Sequence, residues 1–196
     1  MYQVGLTGGI AAGKSTVVQR LHRVHGLRVV DADHLARQVV APGTDGLAQV
    51  VQAFGPEVVA ADGTMNRQVV GEKIFNNPEA RSMLEGIIHP RIQAARDRII
   101  ASASERVLIH DIPLLIETQM QDQFDEIVVV HCPAVIRVQR LINDRGMRAQ
   151  EAWQRINAQI SDDERLQAAD TVIDNTKGIA ELNAQTDALA KRLLQY

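Results

Sequence analysis

Apolar positions along the chain alternate between two patterns. Near-continuous apolar runs at YQVGL (2–6), LRVVDAD (27–33), RVLIHD (106–111), EIVVVHC (126–132) and DTVID (170–174) predict strands. After the first run, Val17, Val18, Leu21 and Val24 recur at helical spacing, and Gly26 stands where a helix would be capped. Strands that are apolar throughout are buried on both faces, as in a parallel sheet covered by helices. The pattern therefore predicts an α/β, doubly wound fold.

The stretch 36–105 breaks this rhythm. It holds helical pieces and turns at Pro42-Gly43, Gly55-Pro56 and Asp62-Gly63, but no convincing strand. Asn77-Pro78 reads as a helix start, with Asn as the cap and Pro at the first position. His89 precedes Pro90, which pushes its backbone away from the helical region and predicts a break between two helices. This stretch reads as a helical lobe inserted between strands two and three. The stretch 133–169 is again helical and rich in arginine, and belongs near the carboxyl edge of the sheet, where ligands of such folds bind.

With 196 residues, 45% hydrophobic and 23% charged, the chain fits one globular domain that can bury its own core. A formal net charge of -3 argues against a strongly basic nucleic-acid binder. A single cysteine, Cys132, excludes an intrachain disulfide and reads as a small buried residue at a strand end. No run reaches the roughly 18 apolar residues of a membrane span, and the N-terminal apolar stretch is too short for a signal peptide. The expected location is the cytoplasm, with no membrane, nucleic-acid or obligate protein partner.

TGGIAAGKST (7–16) carries the most specific chemistry. Gly8, Gly13, Lys14 and Ser15 satisfy G-x-x-x-x-G-K-[ST] between a strand and a helix. Glycines let backbone N–H groups turn toward phosphate, Lys14 supplies a point charge, and the Ser15 hydroxyl suits Mg²⁺. The helix that follows points its positive end at the anion. Ala11 and Ala12 are small enough to keep the loop surface clear.

Asp31 and Asp33 end the second strand run and share a face by strand alternation. Either suits the carboxylate that accepts a hydroxyl proton in phosphoryl transfer, and either could instead cap the helix that follows. Asp111, after RVLIH, suits a water-mediated Mg²⁺ role or a cap ahead of Pro113. Arg137, Arg140, Arg145 and Arg148 lie on or near one helical segment, Arg137 and Arg140 on one face. Together they suit a lid that neutralises transition-state charge, although any one of them suits a solvated helix face. The histidines show no metal-ligand spacing.

LTGGIAAGKST (6–16), VVDADHLARQVVAPG (29–43), ADGTMNR (61–67), IIHPRI (87–92), DIPLLIE (111–117), RVQRLINDRGM (137–147) and ADTVIDN (169–175) run in one order over almost the whole chain. In this the sequence resembles the dephospho-CoA kinase family. The resemblance implies a P-loop kinase fold: a parallel five-stranded sheet flanked by helices, with a helical substrate lobe and a lid. It implies a core of 1–35, 106–132 and 170–196, a coenzyme A lobe of 36–105, and a lid with flanking helices of 133–169. The implied reaction moves the γ-phosphoryl group of ATP to the ribose 3′-hydroxyl of dephospho-CoA, with Mg²⁺.

By the same resemblance Asp33 is the general base, with Lys14 and Arg140 beside it in catalysis. Gly8, Gly9, Ala11, Ala12, Gly13, Lys14, Ser15 and Thr16 hold the ATP phosphates. Asn175 approaches the adenine of ATP. His89, Arg91 and Leu114 line the acceptor site with Asp33, and Ser15 and Asp111 serve the metal. Ala12 replaces a more usual serine, and Asp144-Arg145 reverses the more usual order of those two residues. Another small-molecule P-loop kinase, for a nucleoside monophosphate or shikimate, is the alternative. A GTPase-like switch lacks its guanine motif, since DNTKG (174–178) does not supply N-K-x-D.

Overall fold

The computed structural model describes residues 1–196. In chain order the elements are β1 (Tyr2–Gly8), α1 (Lys14–Arg23), β2 (Arg28–Asp31), α2 (Ala32–Gln38), α3 (Asp45–Phe54), α4 (Arg67–Phe75), α5 (Pro78–Ser102), β3 (Val107–Asp111), β4 (Glu126–His131), α6 (Ala134–Arg145), α7 (Ala149–Asn157), α8 (Asp162–Gln167), β5 (Thr171–Asp174) and α9 (Ile179–Leu193). They form two compact units, Met1–Val30 with Ser104–Tyr196, and Asp31–Ala103.

The first unit is built on a five-stranded sheet in the order β2-β3-β1-β4-β5. β1 runs parallel to β3, with Leu6 opposite Asp111, and parallel to β4, with Leu6 opposite Val128. β4 in turn runs parallel to β5, with Val130 opposite Ile173. All five strand runs of the sequence form strands; β3, β1 and β4 in the middle are buried along most of their length, while edge strand β5 leaves Val172 exposed. Helices α1 and α9 pack together on the sheet. Val17, Leu21, Leu182 and Leu193 close a core with Val4, Leu6, Val128 and Val130. A second cluster, Val138, Leu141, Ala152 and Ile156, joins α6 to α7. Cys132 is buried at the end of β4, as its sequence context implies.

The second unit holds α2 to α5 around Val40, Val50, Val58, Val70 and Leu84. It begins at Asp31, whereas the sequence pattern starts the lobe at 36. All four of its helices are capped by polar side chains: Asp31 accepts from the N–H of His34, Thr44 from Leu47, Asn66 from Val69 and Asn77 from Ala80. Asn77-Pro78 thus starts a helix as expected. Its only extended pairing is an isolated bridge between Val59 and Met65.

Two local expectations are corrected. The second strand does not run to Asp33: it stops at Asp31, and Asp33 lies in the first turn of α2. The Asp31 carboxylate accepts from the N–H of His34 at 2.9 Å, so the cap wins over strand continuation. No break separates two helices at His89-Pro90 either, because α5 runs 25 residues straight through Pro90. Proline removes one helical hydrogen bond, to the carbonyl of Gly86. Burial of Leu84 and Arg96 on either side holds the helix together across that gap.

Candidate active site

The loop between β1 and α1 is shaped by backbone conformations that few residues adopt. Gly13 caps α1 with φ 102°, and Ala11 sits at φ 60°. Gly13 is required twice over, since a Cβ there would also collide with the Asn175 amide. The Gly9 carbonyl accepts from the N–H of Ala12 at 3.0 Å, and the Gly13 carbonyl from Thr16 at 3.0 Å. The N–H of Ile10 donates to the side chain of Gln159 at 2.8 Å. Ala12 does not line the loop surface as expected. It is buried in the core beneath the loop, so its smallness serves burial rather than clearance.

Lys14 and Ser15 open α1, with Thr16 behind them. Lys14 Nζ pairs with Oδ1 of Asp111, the last residue of β3. Asp111 is buried at 8% exposure, and the N–H of the next residue, Ile112, continues the sheet to the Leu6 carbonyl at 3.0 Å. A buried carboxylate opposite a lysine at a helix N-terminus is a charge pair that anionic phosphate can reorganise. Ser15 is exposed.

Arg140 and Asn175 close the loop from behind. Arg140 Nη1 donates to the carbonyl of Ala11 at 3.1 Å, and its Nη2 to the carbonyl of Asn175 at 3.1 Å. Asn175, buried after β5, donates its side-chain amide to the carbonyl of Ala12 at 2.8 Å. Beside them opens a cleft of about 320 Å³ that is lined by Gly13, Ser15, Thr16, Arg140, Arg145 and Ile179, among others. Loop, helix start, Arg140 and Asn175 are thus brought together in one place.

The four arginines do not act as a set. Arg145 and Arg148 are exposed. Arg137 is 3% exposed and is not a lid residue. Its Nε donates to the Cys132 carbonyl at 2.8 Å and its Nη2 to both carboxylate oxygens of Asp162, at 2.7 and 2.9 Å. Asp162 also accepts from Arg165 at 2.9 Å, and Arg165 reaches Glu117 at 3.5 Å. The helical spacing of the arginines carries no signal of this network, whose Glu117 closes the DIPLLIE segment. Burial pushes the Cys132 thiol up, against the pull of Arg140 and Arg137.

Leu114, in the turn after β3, is 48% exposed. The remaining expected site residues lie in the second unit. Asp33 is exposed, and no protein group bonds its carboxylate, because Asp31 has taken the cap. His89 is exposed on α5. Arg91, two residues on, donates to the carbonyl of Ile87 at 2.6 Å and lines a hollow with Arg98, Thr44 and Gly46.

Residues 2–181 match the family model described as dephospho-CoA kinase. The dephospho-CoA kinase of Cutibacterium acnes is 45% identical over 195 residues, 97% of this chain and 84% of that protein. That of Leifsonia xyli subsp. xyli is 46% identical over 96% of this chain and 97% of its own. Among solved structures, a Thermus thermophilus protein superposes with a TM-score of 0.84 at 28% identity, covering 98% of this chain and 97% of its own. A shikimate kinase from Acinetobacter baumannii shares the fold alone, with a TM-score of 0.56 at 15% identity, covering 100% of this chain and 94% of its own.

Proposed function

The chain belongs to the dephospho-CoA kinase family, and on that premise we propose that it transfers the γ-phosphoryl group of ATP to the ribose 3′-hydroxyl of dephospho-CoA. The products are coenzyme A and ADP. The observation that carries this reading is the loop from Gly8 to Thr16, with Lys14 set against the buried Asp111 and with Arg140 and Asn175 bonded to its carbonyls. ATP phosphates lie along the loop N–H groups, and Lys14 turns from Asp111 toward the outer phosphates.

In the transfer step the acceptor oxygen bonds to the γ-phosphorus as the bond to the β-phosphate oxygen breaks. Asp33 takes the hydroxyl proton, a role supported by the motif match and by a carboxylate that nothing in the protein engages. Arg140 neutralises charge that builds on the transferring group. His89, Arg91 and Leu114 hold the acceptor, residues 36–105 serve as its lobe, and 133–169 supply the lid.

The donors present suit Mg²⁺, which takes one or two protein oxygens and otherwise water and phosphate. Ser15 through its hydroxyl and Asp111 through water would hold it. When bound, the ion would offset charge on the phosphates. No helix is long and apolar enough to cross a membrane, and the proposed compartment is the cytoplasm.

The test is ADP release with Mg·ATP and dephospho-CoA, AMP, shikimate or no acceptor, with mass spectrometry of the product. Release that depends on dephospho-CoA and yields coenzyme A is expected. Release with AMP or shikimate instead would retain the chemistry and replace the acceptor.

A further inference from the structure

Gly9 occupies a place where the loop motif admits any residue, and its φ is not in the left-handed region. A side chain is nonetheless excluded there. A Cβ on Gly9 would stand 2.5 Å from Nη1 of Arg137, 3.1 Å from its Cζ, and 3.4 Å from Nη1 of Arg165. The entry to the loop rests directly on two guanidinium groups, each only 3% exposed.

Arg137 is held from two sides, by the Cys132 carbonyl and by both oxygens of Asp162. Those bonds use Nε and Nη2. Nη1 is buried and meets no acceptor in the protein. Buried donors of this kind are nearly always bonded, since leaving one unmade has a desolvation cost. Here the unspent edge faces the bare Cα of Gly9. Arg165, bonded to Asp162, to the Ile160 carbonyl at 3.2 Å and to Glu117, completes the platform. It ties the platform to the segment after β3.

We propose that Arg137 is a positioning residue for phosphoryl transfer: gripped by Cys132 and Asp162, its Nη1 edge fixes Gly9 and so sets where the loop holds the terminal phosphate. The inference rests on the kinase reading of the loop. A shift of Gly9 passes to Ala12 through the turn bond at 3.0 Å, and from Ala12 to the carbonyl that Asn175 holds. Misplacing a reacting group by about 1 Å costs on the order of 10²-fold in rate. A glycine here thus answers to an arginine more than a hundred positions later, a pairing that the loop motif alone does not require.

The experiment is a double-mutant cycle on the full chain with Gly9→Ala, Arg137→Met and the pair. Initial rates of ADP formation with Mg·ATP and dephospho-CoA are measured well below each melting temperature. Each single variant is expected to lose at least ~10-fold in kcat with the KM for ATP changed by less than ~3-fold. In the Arg137→Met background, where the atom a Cβ would strike is gone, the loss from Gly9→Ala is expected to shrink by at least ~5-fold. Asp162 keeps Arg165 as a partner there, so the methionine variant should fold. Should it not, Arg137→Lys takes its place in the same cycle. An equal cost of Gly9→Ala in both backgrounds would overturn the proposal. So would a folded Arg137 variant with lowered melting temperature but normal kcat, the pattern of a purely structural role. Wild-type protein without dephospho-CoA-dependent turnover would instead sink the kinase reading, and this proposal with it.

Discussion

The side-chain amide of Asn175 donates to the carbonyl of Ala12 at 2.8 Å and joins residues 163 apart in the chain. Arg140 closes the same knot, bonding the carbonyls of Ala11 and Asn175. The loop is therefore braced by the end of β5 and by α6. Asn175→Ala removes the shorter of two bonds to the Ala12 carbonyl, leaving Arg140 at 3.4 Å, and costs about 1 kcal/mol of stability, the net worth of a hydrogen bond. A lower denaturation midpoint and weaker ATP binding by calorimetry are expected together. Wild-type affinity in a destabilised variant would show that the brace serves folding alone.

Lys14→Ala removes the charge at the start of α1 and leaves the Asp111 carboxylate without its cation. Loss of a preorganised phosphate contact of this kind is expected to lower kcat by about 10²-fold or more. Transfer rates equal to wild type would contradict the phosphate assignment of the loop.

Asp33→Asn keeps the size of the side chain and removes its basicity. ATP binding is expected to persist while kcat falls by at least ~10²-fold, the scale of lost general-base catalysis. Because Asp31 caps α2, the melting temperature should barely move. The control is Asp31→Ala, which should lower stability by about 1 kcal/mol, the usual worth of a cap.

The acid limb of stability has an identifiable contributor away from the site. Arg20 binds both oxygens of Asp187 at 2.6 and 2.7 Å, and His25 reaches it at 2.6 Å. The bond from Arg20, then that from His25, holds the Asp187 carboxyl well below the usual range. A folded-state value below the unfolded one stabilises the fold at pH above the unfolded value, near 4 for a carboxylate, and is lost as pH falls toward the folded value. Asp187→Asn should therefore narrow the stability difference between pH 7 and pH 3. Melting curves across that range check it, and parallel curves for both proteins would exclude the pair from acid sensitivity.

In the middle of α5, Gly86 has open space around the direction a Cβ would take. Gly86→Ala is expected to stabilise the protein by about 0.5–1 kcal/mol, through reduced freedom of the unfolded chain. Denaturant unfolding measures it. A loss of stability would point to strain where the helix passes Pro90.

Much of the architecture was legible because parallel strands are apolar along their length. EIVVVHC could be little else, and Asn77-Pro78 announces its helix by local chemistry alone. What misled was local preference overruled at a distance. Pro90 marks a break by its own restrictions, but packing on both sides carries the helix through it. Asp33 looks like a strand end until Asp31 is seen capping the next helix. Arg137 sits at helical spacing in a segment whose Arg145 and Arg148 face solvent. The Cys132 carbonyl and Asp162, 25 residues on, make it a buried bracket.

β1 is the central strand, and both of its neighbours, β3 and β4, come more than a hundred residues later. During synthesis its edge toward β3 stays open until the chain has passed Asp111, and its edge toward β4 until it has passed His131. Residues 31–103, whose contacts are comparatively local, can collapse in the meantime. β1 thus waits across more than a hundred residues for its partners, and in that interval an unpaired strand is exposed to other chains. Crowded expression or slowed translation between residues 104 and 131 would prolong that exposure, and chaperone capture of a stalled chain should centre on Tyr2–Gly8.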